Sequence, residues 1–107
     1  MKFAAIPDDL LKALKGLREK YPMRLGRDAV ISVRASKDGL IVEAYLSTAS
    51  VPADIIEAGE FFTTWKSFGK LLGTYPRGQQ VTFSLEGNGL RMGGLRLPVR
   101  AHPDSGQ

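Results

Sequence analysis

The chain has 107 residues, 43% of them hydrophobic and 24% charged, which is enough apolar material for one domain with a core of its own. It has no cysteine, which excludes a disulfide scaffold and a cysteine-ligated zinc site. The net charge is +4. Much of it lies between residues 12 and 34, where Lys12, Lys15, Arg18, Lys20, Arg24, Arg27 and Arg34 face only Glu19 and Asp28. Such a cluster either attracts a polyanion or forms a solvated basic surface.

The front of the chain, MKFAAIPDDLL, has one lysine and a short apolar run broken by Pro7 and two aspartates. It reads as neither a secretory signal nor a membrane span, so a soluble, cytoplasmic protein is expected. KFAAI is a short strand candidate. PDDLLKALKGLREKYP places Leu10, Leu14, Leu17 and Tyr21 at helical spacing, with Leu11 on the flank. Pro7 suits the first helical turn, Asp8 and Asp9 complement the positive end of the dipole, and Pro22 stops the helix. AVISVRA alternates as a strand, Asp38-Gly39 makes a turn, GLIVEAYL returns as a second strand and STASVPAD supplies a third.

The same order then begins again. IIEAGEFF is a strand candidate. TTWKSFGKLLGTYP puts Trp65, Phe68, Leu72 and Tyr75 on one face, with Thr63 or Thr64 as cap and Pro76 as terminator. The stretch SLEGNGLRMGGLRLPV, residues 84–99, holds Gly87, Gly89, Gly93 and Gly94 and invites a phosphate-loop reading. Its spacing is one residue too long for the dinucleotide fingerprint, no Lys-Ser or Lys-Thr follows, and LRLPV alternates as a strand where a helix should begin. Asn88-Gly89 therefore reads as a hairpin turn and Gly93-Gly94 as a second turn in a three-stranded meander.

The halves align in detail. Leu11, Leu14 and Leu17 match Trp65, Phe68 and Leu71, Lys12 matches Lys66, and both helices run to Tyr-Pro. ISVRASKDGL lies over VTFSLEGNGL without a gap, and the first half carries four extra residues around MRLG. The unit is β-α-β-β-β, used twice, over residues 1–53 and 54–101, with a mobile tail at 102–107. The expected fold is α+β, with both helices on one side of antiparallel sheets. The other strand face is expected to be covered too, which would account for apolar residues on both faces of GLIVEAYL.

This order resembles a single domain of a DNA sliding clamp, the processivity factor of a DNA polymerase. The likeness spans residues 2–101 and is closest over GEFFTTWKSFGKLLGTYPRGQQVTFSLEGNGLRMGGLRLPV. It implies a DNA clamp-like fold built from a duplicated βαβββ unit, no enzymatic activity, and duplex DNA or replication and repair proteins as partners. Known clamps join several such domains into a ring, and this chain departs from them in carrying one. Pro52 and Pro98 fall near the ends of the third strands, where clamp domains pair across subunits, and edge proline opposes such pairing. A monomer or small homo-oligomer is expected.

In clamps the polar helix faces meet DNA phosphates. The matching positions here make Lys12, Lys15, Lys66 and Lys70 the candidate phosphate-binding residues. Lys66 and Lys70 lie among Gly69 and Gly73 with no competing carboxylate, whereas Lys12 and Lys15 share a mixed face with Asp8, Gly16 and Glu19. A solvated pair of helix faces is the alternative. Trp65 and Phe68 sit on the apolar stripe and read as core, not as base-stacking residues. Asp54, Glu57 and Glu60 do not share one face of an extended segment and make no metal site. His102 lies in the tail, and no nucleophile–base pair stands out, so neither a cofactor nor catalysis is expected. The alternative function is a protein-interaction or regulatory domain of the same fold that does not bind DNA.

Overall fold

The computed structural model describes residues 1–20, 29–44 and 47–100. Tyr21-Pro22, the MRLG insertion with Arg24, Tyr45-Leu46 and the tail with His102 lie outside the described residues. The described chain forms nine strands and two helices. β1 (Lys2–Ala5) leads into α1 (Pro7–Lys20), followed by a meander of β2 (Val30–Ser36), β3 (Gly39–Ala44) and β4 (Ser47–Val51). Next come β5 (Ala53–Glu57) and β6 (Gly59–Thr64). α2 (Trp65–Leu72) and a second meander of β7 (Val81–Glu86), β8 (Gly89–Met92) and β9 (Leu95–Pro98) complete the chain.

The strands make two sheets in which every described pairing is antiparallel, one ordered β5-β1-β7-β8-β9 and the other β4-β3-β2-β6. The connectivity is reciprocal. β1, which precedes α1, pairs with β7 of the later meander, and β6, which precedes α2, pairs with β2 of the earlier one. Neither meander has its fourth strand without the other half of the chain, so the two halves must fold together. At one corner the sheets are joined directly. Phe62 and Arg100 exchange backbone hydrogen bonds of 2.8 and 2.9 Å, which covers the outer edge of β6.

One hydrophobic core fills the space between sheets and helices. Phe3 and Phe83 face each other across the β1–β7 ladder and stack at 4.8 Å. Phe61 of β6 meets Phe68 of α2 edge to face at 5.8 Å. Such aromatic geometries add to what area burial alone contributes. Leu10, Leu14, Leu17, Ile31, Val33, Phe68, Leu72, Val81 and Phe83 are buried as their periodicity requires, while Trp65 and Leu85 are only partly buried.

The two helices and two antiparallel sheets agree with the sequence reading, but five local features differ. IIEAGEFF is not one strand. It breaks at Ala58, with β5 in one sheet and β6 in the other. Gly59 sits at the crossing, where a Cβ would strike the Met1 side chain. Because of this break, Asp54 and Glu57 lie on a different strand from Glu60. α2 ends at Leu72, before Tyr75-Pro76. The Gly73 and Thr74 amides bond back to the Gly69 and Leu71 carbonyls, and the Thr74 hydroxyl donates to Leu71 at 2.7 Å, so the helix end is satisfied without proline. Tyr75 therefore lies off the helical stripe.

The later hairpin turns at Gly87-Asn88, one residue before the expected pair, because Glu86 faces Gly89 across the ladder and Gly87 takes φ of +62°. By the same register, Ser36 faces Gly39 and the earlier turn is Lys37-Asp38. Gly89 is instead a strand residue overlaid by the Arg96 guanidinium, which a Cβ there would strike. Finally, β3 buries Leu40, Val42 and Ala44 on one face, while Glu43 on the other is exposed and Ile41 is half-buried. Its outer face is thus not a second core face; Ile41 is the only large apolar side chain of the strand pointing that way.

Candidate nucleic-acid interface

α1 buries Leu10, Leu14 and Leu17 and packs against β3, β4 and α2. Once those leucines point inward, Lys12 and Lys15 point to solvent, and both are exposed. α2 is fixed at its start by Thr64, whose hydroxyl oxygen accepts from the Ser67 amide at 3.3 Å. Phe68 and Leu72 anchor α2 in the core, so Lys66 and Lys70, one turn apart, are exposed on the opposite side. Lys70 lies in the last turn, where a cation complements the negative end of the helix dipole. The first turn of α2 has no acidic residue.

The helices lie side by side. An ideal Cβ on Gly69 would sit 3.9 Å from Leu14 Cδ1, which places Gly69 on the side of α2 that faces α1. Between them runs an open groove of about 350 Å³, lined by Leu11, Leu14, Lys15, Trp65, Lys66, Gly69 and Lys70. Three of the four candidate lysines thus surround one groove. Lys12, which the sequence paired with Lys66, is exposed on α1 but outside that lining. Among the described residues the ion pairs are Met1 with Glu57 and Arg91 with Glu86, and neither includes one of the four lysines. Its apolar stripe assigns Trp65 to the core, but the residue is half-buried and lines the groove. Its open side comes from its place in the first turn of α2, before the helix dips into the core at Phe68. The heptad-like spacing of the sequence does not reveal that step.

A second groove, of about 290 Å³, lies beside the start of α2. Val30, Phe62, Pro98 and Val99 give it apolar walls, and Thr64, Ser67, Asn88 and Arg100 supply polar groups. Val30 is 43% exposed, more than is usual for a large apolar side chain next to a core. Sequence periodicity missed this groove because it joins residues from β6, α2 and the end of the chain.

The described acidic residues do not converge. Asp54 accepts from Gln80 Nε2 at 3.2 Å. Glu57 accepts from the Met1 amino group at 2.6 Å, and that hydrogen bond, reinforced by the charge of the same group, lowers its pKa. Among the described residues no three histidine, cysteine, aspartate or glutamate side chains group to hold a metal. No helix of the described residues is long and apolar enough to cross a membrane.

No protein-family model matches this sequence, and no curated protein does. Solved structures do. A Caulobacter crescentus pol III beta chain superposes with a TM-score of 0.74 at 20% identity, over 98% of this chain and 30% of that one. A DNA polymerase sliding clamp from Caulobacter crescentus gives 0.73 at 21% identity, over 98% and 31%. The DNA polymerase III subunit beta from Pseudomonas aeruginosa gives 0.58 at 15% identity, over 98% and 31%. At these identities what is shared is the fold: the chain has the architecture of a clamp-like domain. It spans just under a third of the length of the clamp chains it matches.

Proposed function

We propose that this clamp-like domain is a non-enzymatic module that holds duplex DNA without reading its sequence, using the lysines of its paired helices. The observation that carries this reading is the arrangement of Lys15, Lys66 and Lys70 around one interhelical groove, with Lys12 exposed on the same helix as Lys15. Exposed ammonium groups on helix faces suit phosphate oxygens, which position a protein on DNA but carry no sequence information. Roughly four such contacts give weak binding from one domain, and useful residence on DNA requires several domains around the same duplex. The matching connectivity of the two meanders supports a further part of the proposal, that residues 1–53 and 54–101 are copies of one ancestral unit.

A second reading has its own observation. The apolar groove at Val30, Phe62, Pro98 and Val99 suits a protein ligand, such as a replication or repair factor, and needs no DNA. The double substitution Lys66→Glu with Lys70→Glu separates the two. On the DNA reading it weakens duplex binding and flattens its salt dependence while the melting temperature stays within a few degrees, because both side chains are exposed. Unchanged duplex binding would leave the protein-interaction reading in its place.

A further inference from the structure

Trp65 is the only tryptophan of the chain, and its setting differs from that of the aromatic residue one turn on. Phe68 is fully buried against Phe61. Trp65 is half-buried, and the groove it lines also has Lys15, Lys66 and Lys70 in its lining. Leu11 and Leu14 give that groove apolar walls, and Gly69 keeps one wall low. The indole of Trp65, apolar walls and three exposed cations make a site for a ligand that is flat and apolar in one part and anionic beside it. Nucleobases joined by phosphates have that chemistry. A duplex hides its base faces by stacking, and only its phosphates could reach this groove. A single strand offers both parts at once.

We propose that the interhelical groove is a stacking site for an unpaired base of a single-stranded nucleic acid, with Trp65 against the base and Lys15, Lys66 and Lys70 on the flanking phosphates. This rests on the reading of the helix face as a phosphate-binding surface and adds a ligand preference to it. Stacking on an aromatic side chain is open to every base, since each has a π-face, so the site is sequence-tolerant. The expected advantage of a base-bearing strand over a strand with the same phosphates and no bases is about tenfold in affinity.

Because Trp65 is the sole tryptophan, its fluorescence reports on the groove directly. The intact chain is titrated at low salt with a short oligothymidylate, with an abasic strand of equal charge, with a duplex, and with an acidic aromatic peptide. Anisotropy of labelled strands measures affinity independently of the tryptophan. The proposal expects saturable quenching by oligothymidylate, about tenfold tighter binding of it than of the abasic strand, and loss of that advantage in Trp65→Leu. Trp65→Phe keeps an aromatic ring at the groove and retains most of the advantage. It decides the matter together with the abasic comparison if Trp65→Leu fails to fold. Equal binding of the base-bearing and abasic strands, without quenching, would overturn the stacking site and leave the phosphate surface standing. Quenching by the peptide alone would overturn it in favour of a protein ligand. Absence of binding by every nucleic acid would remove both the stacking site and the DNA reading.

Discussion

Tyr75 ties the turn after α2 to the second meander. Its hydroxyl donates to the Met92 carbonyl and lies beside Gly93. Burial raises the pKa of this phenol, because the ionised form would lose hydration and place a negative charge against a carbonyl oxygen. The sign of the effect on stability follows. With the folded pKa above the unfolded one, the contribution of Tyr75 is fully present below the ordinary phenol value and is lost as pH rises through the higher folded value. A phenolate absorbance titration of the protein minus that of Tyr75→Phe should therefore show one group ionising above the ordinary tyrosine range. A difference curve centred at the ordinary value would contradict the part-buried setting of the phenol.

At the scale of elements, the helices contain glycines that stability alone does not favour. Gly16 of α1 has nothing within 4 Å of an added Cβ, and at Gly69 of α2 the nearest atom is Leu14 Cδ1 at 3.9 Å, an ordinary contact. Gly16→Ala and Gly69→Ala should each stabilise the fold by about 0.5–1 kcal/mol in urea denaturation, because alanine loses less backbone entropy in a helix interior. Gly69→Ala also puts a methyl group into the interhelical groove, so it should weaken nucleic-acid binding while strengthening the fold. If it leaves binding unchanged, the groove is not where the ligand sits.

The same scale shows what could be read from sequence. Strand and helix identity was legible wherever apolar residues kept one period, as in Leu10, Leu14 and Leu17 or Ile31 and Val33. Pro98 as the last residue of the edge strand β9, and Pro52 just after the edge strand β4, were legible too. What failed was set by distant contacts. The break at Ala58 depends on Met1 approaching Gly59, and the end of α2 depends on local carbonyl satisfaction, so that Tyr75 is left free to reach Met92. The lysines were found as exposed helix positions. That Lys15, and not Lys12, shares a groove with Lys66 depends on how the helices cross, which no single-helix pattern contains.

For the whole molecule, reciprocal strand exchange makes the two halves one cooperative unit, because β1 and β6 each complete the other half's sheet. The sheets end at β4, β5, β6 and β9, and the chain itself limits three of these edges. Arg100 covers β6, Pro52 follows β4 and Pro98 ends β9. A proline at an edge removes a donor that pairing with another copy would need. Sedimentation at low micromolar concentration should accordingly show a monomer or a small oligomer. A stable ring of many copies would contradict this account of the edges.

The central claim is that this clamp-like domain meets DNA through lysine–phosphate contacts on its helix face. The most direct test is the salt dependence of duplex binding, measured by anisotropy of a labelled duplex over a range of monovalent salt. With Lys12, Lys15, Lys66 and Lys70 each neutralising a phosphate, log affinity should fall with log salt at a slope of about −3 to −4, and Lys66→Glu with Lys70→Glu should flatten the slope by about two. The result should be the same for duplexes of unrelated sequence. Duplex binding that is absent at low salt, or that persists with the same slope in the charge-reversed variant, would contradict the claim.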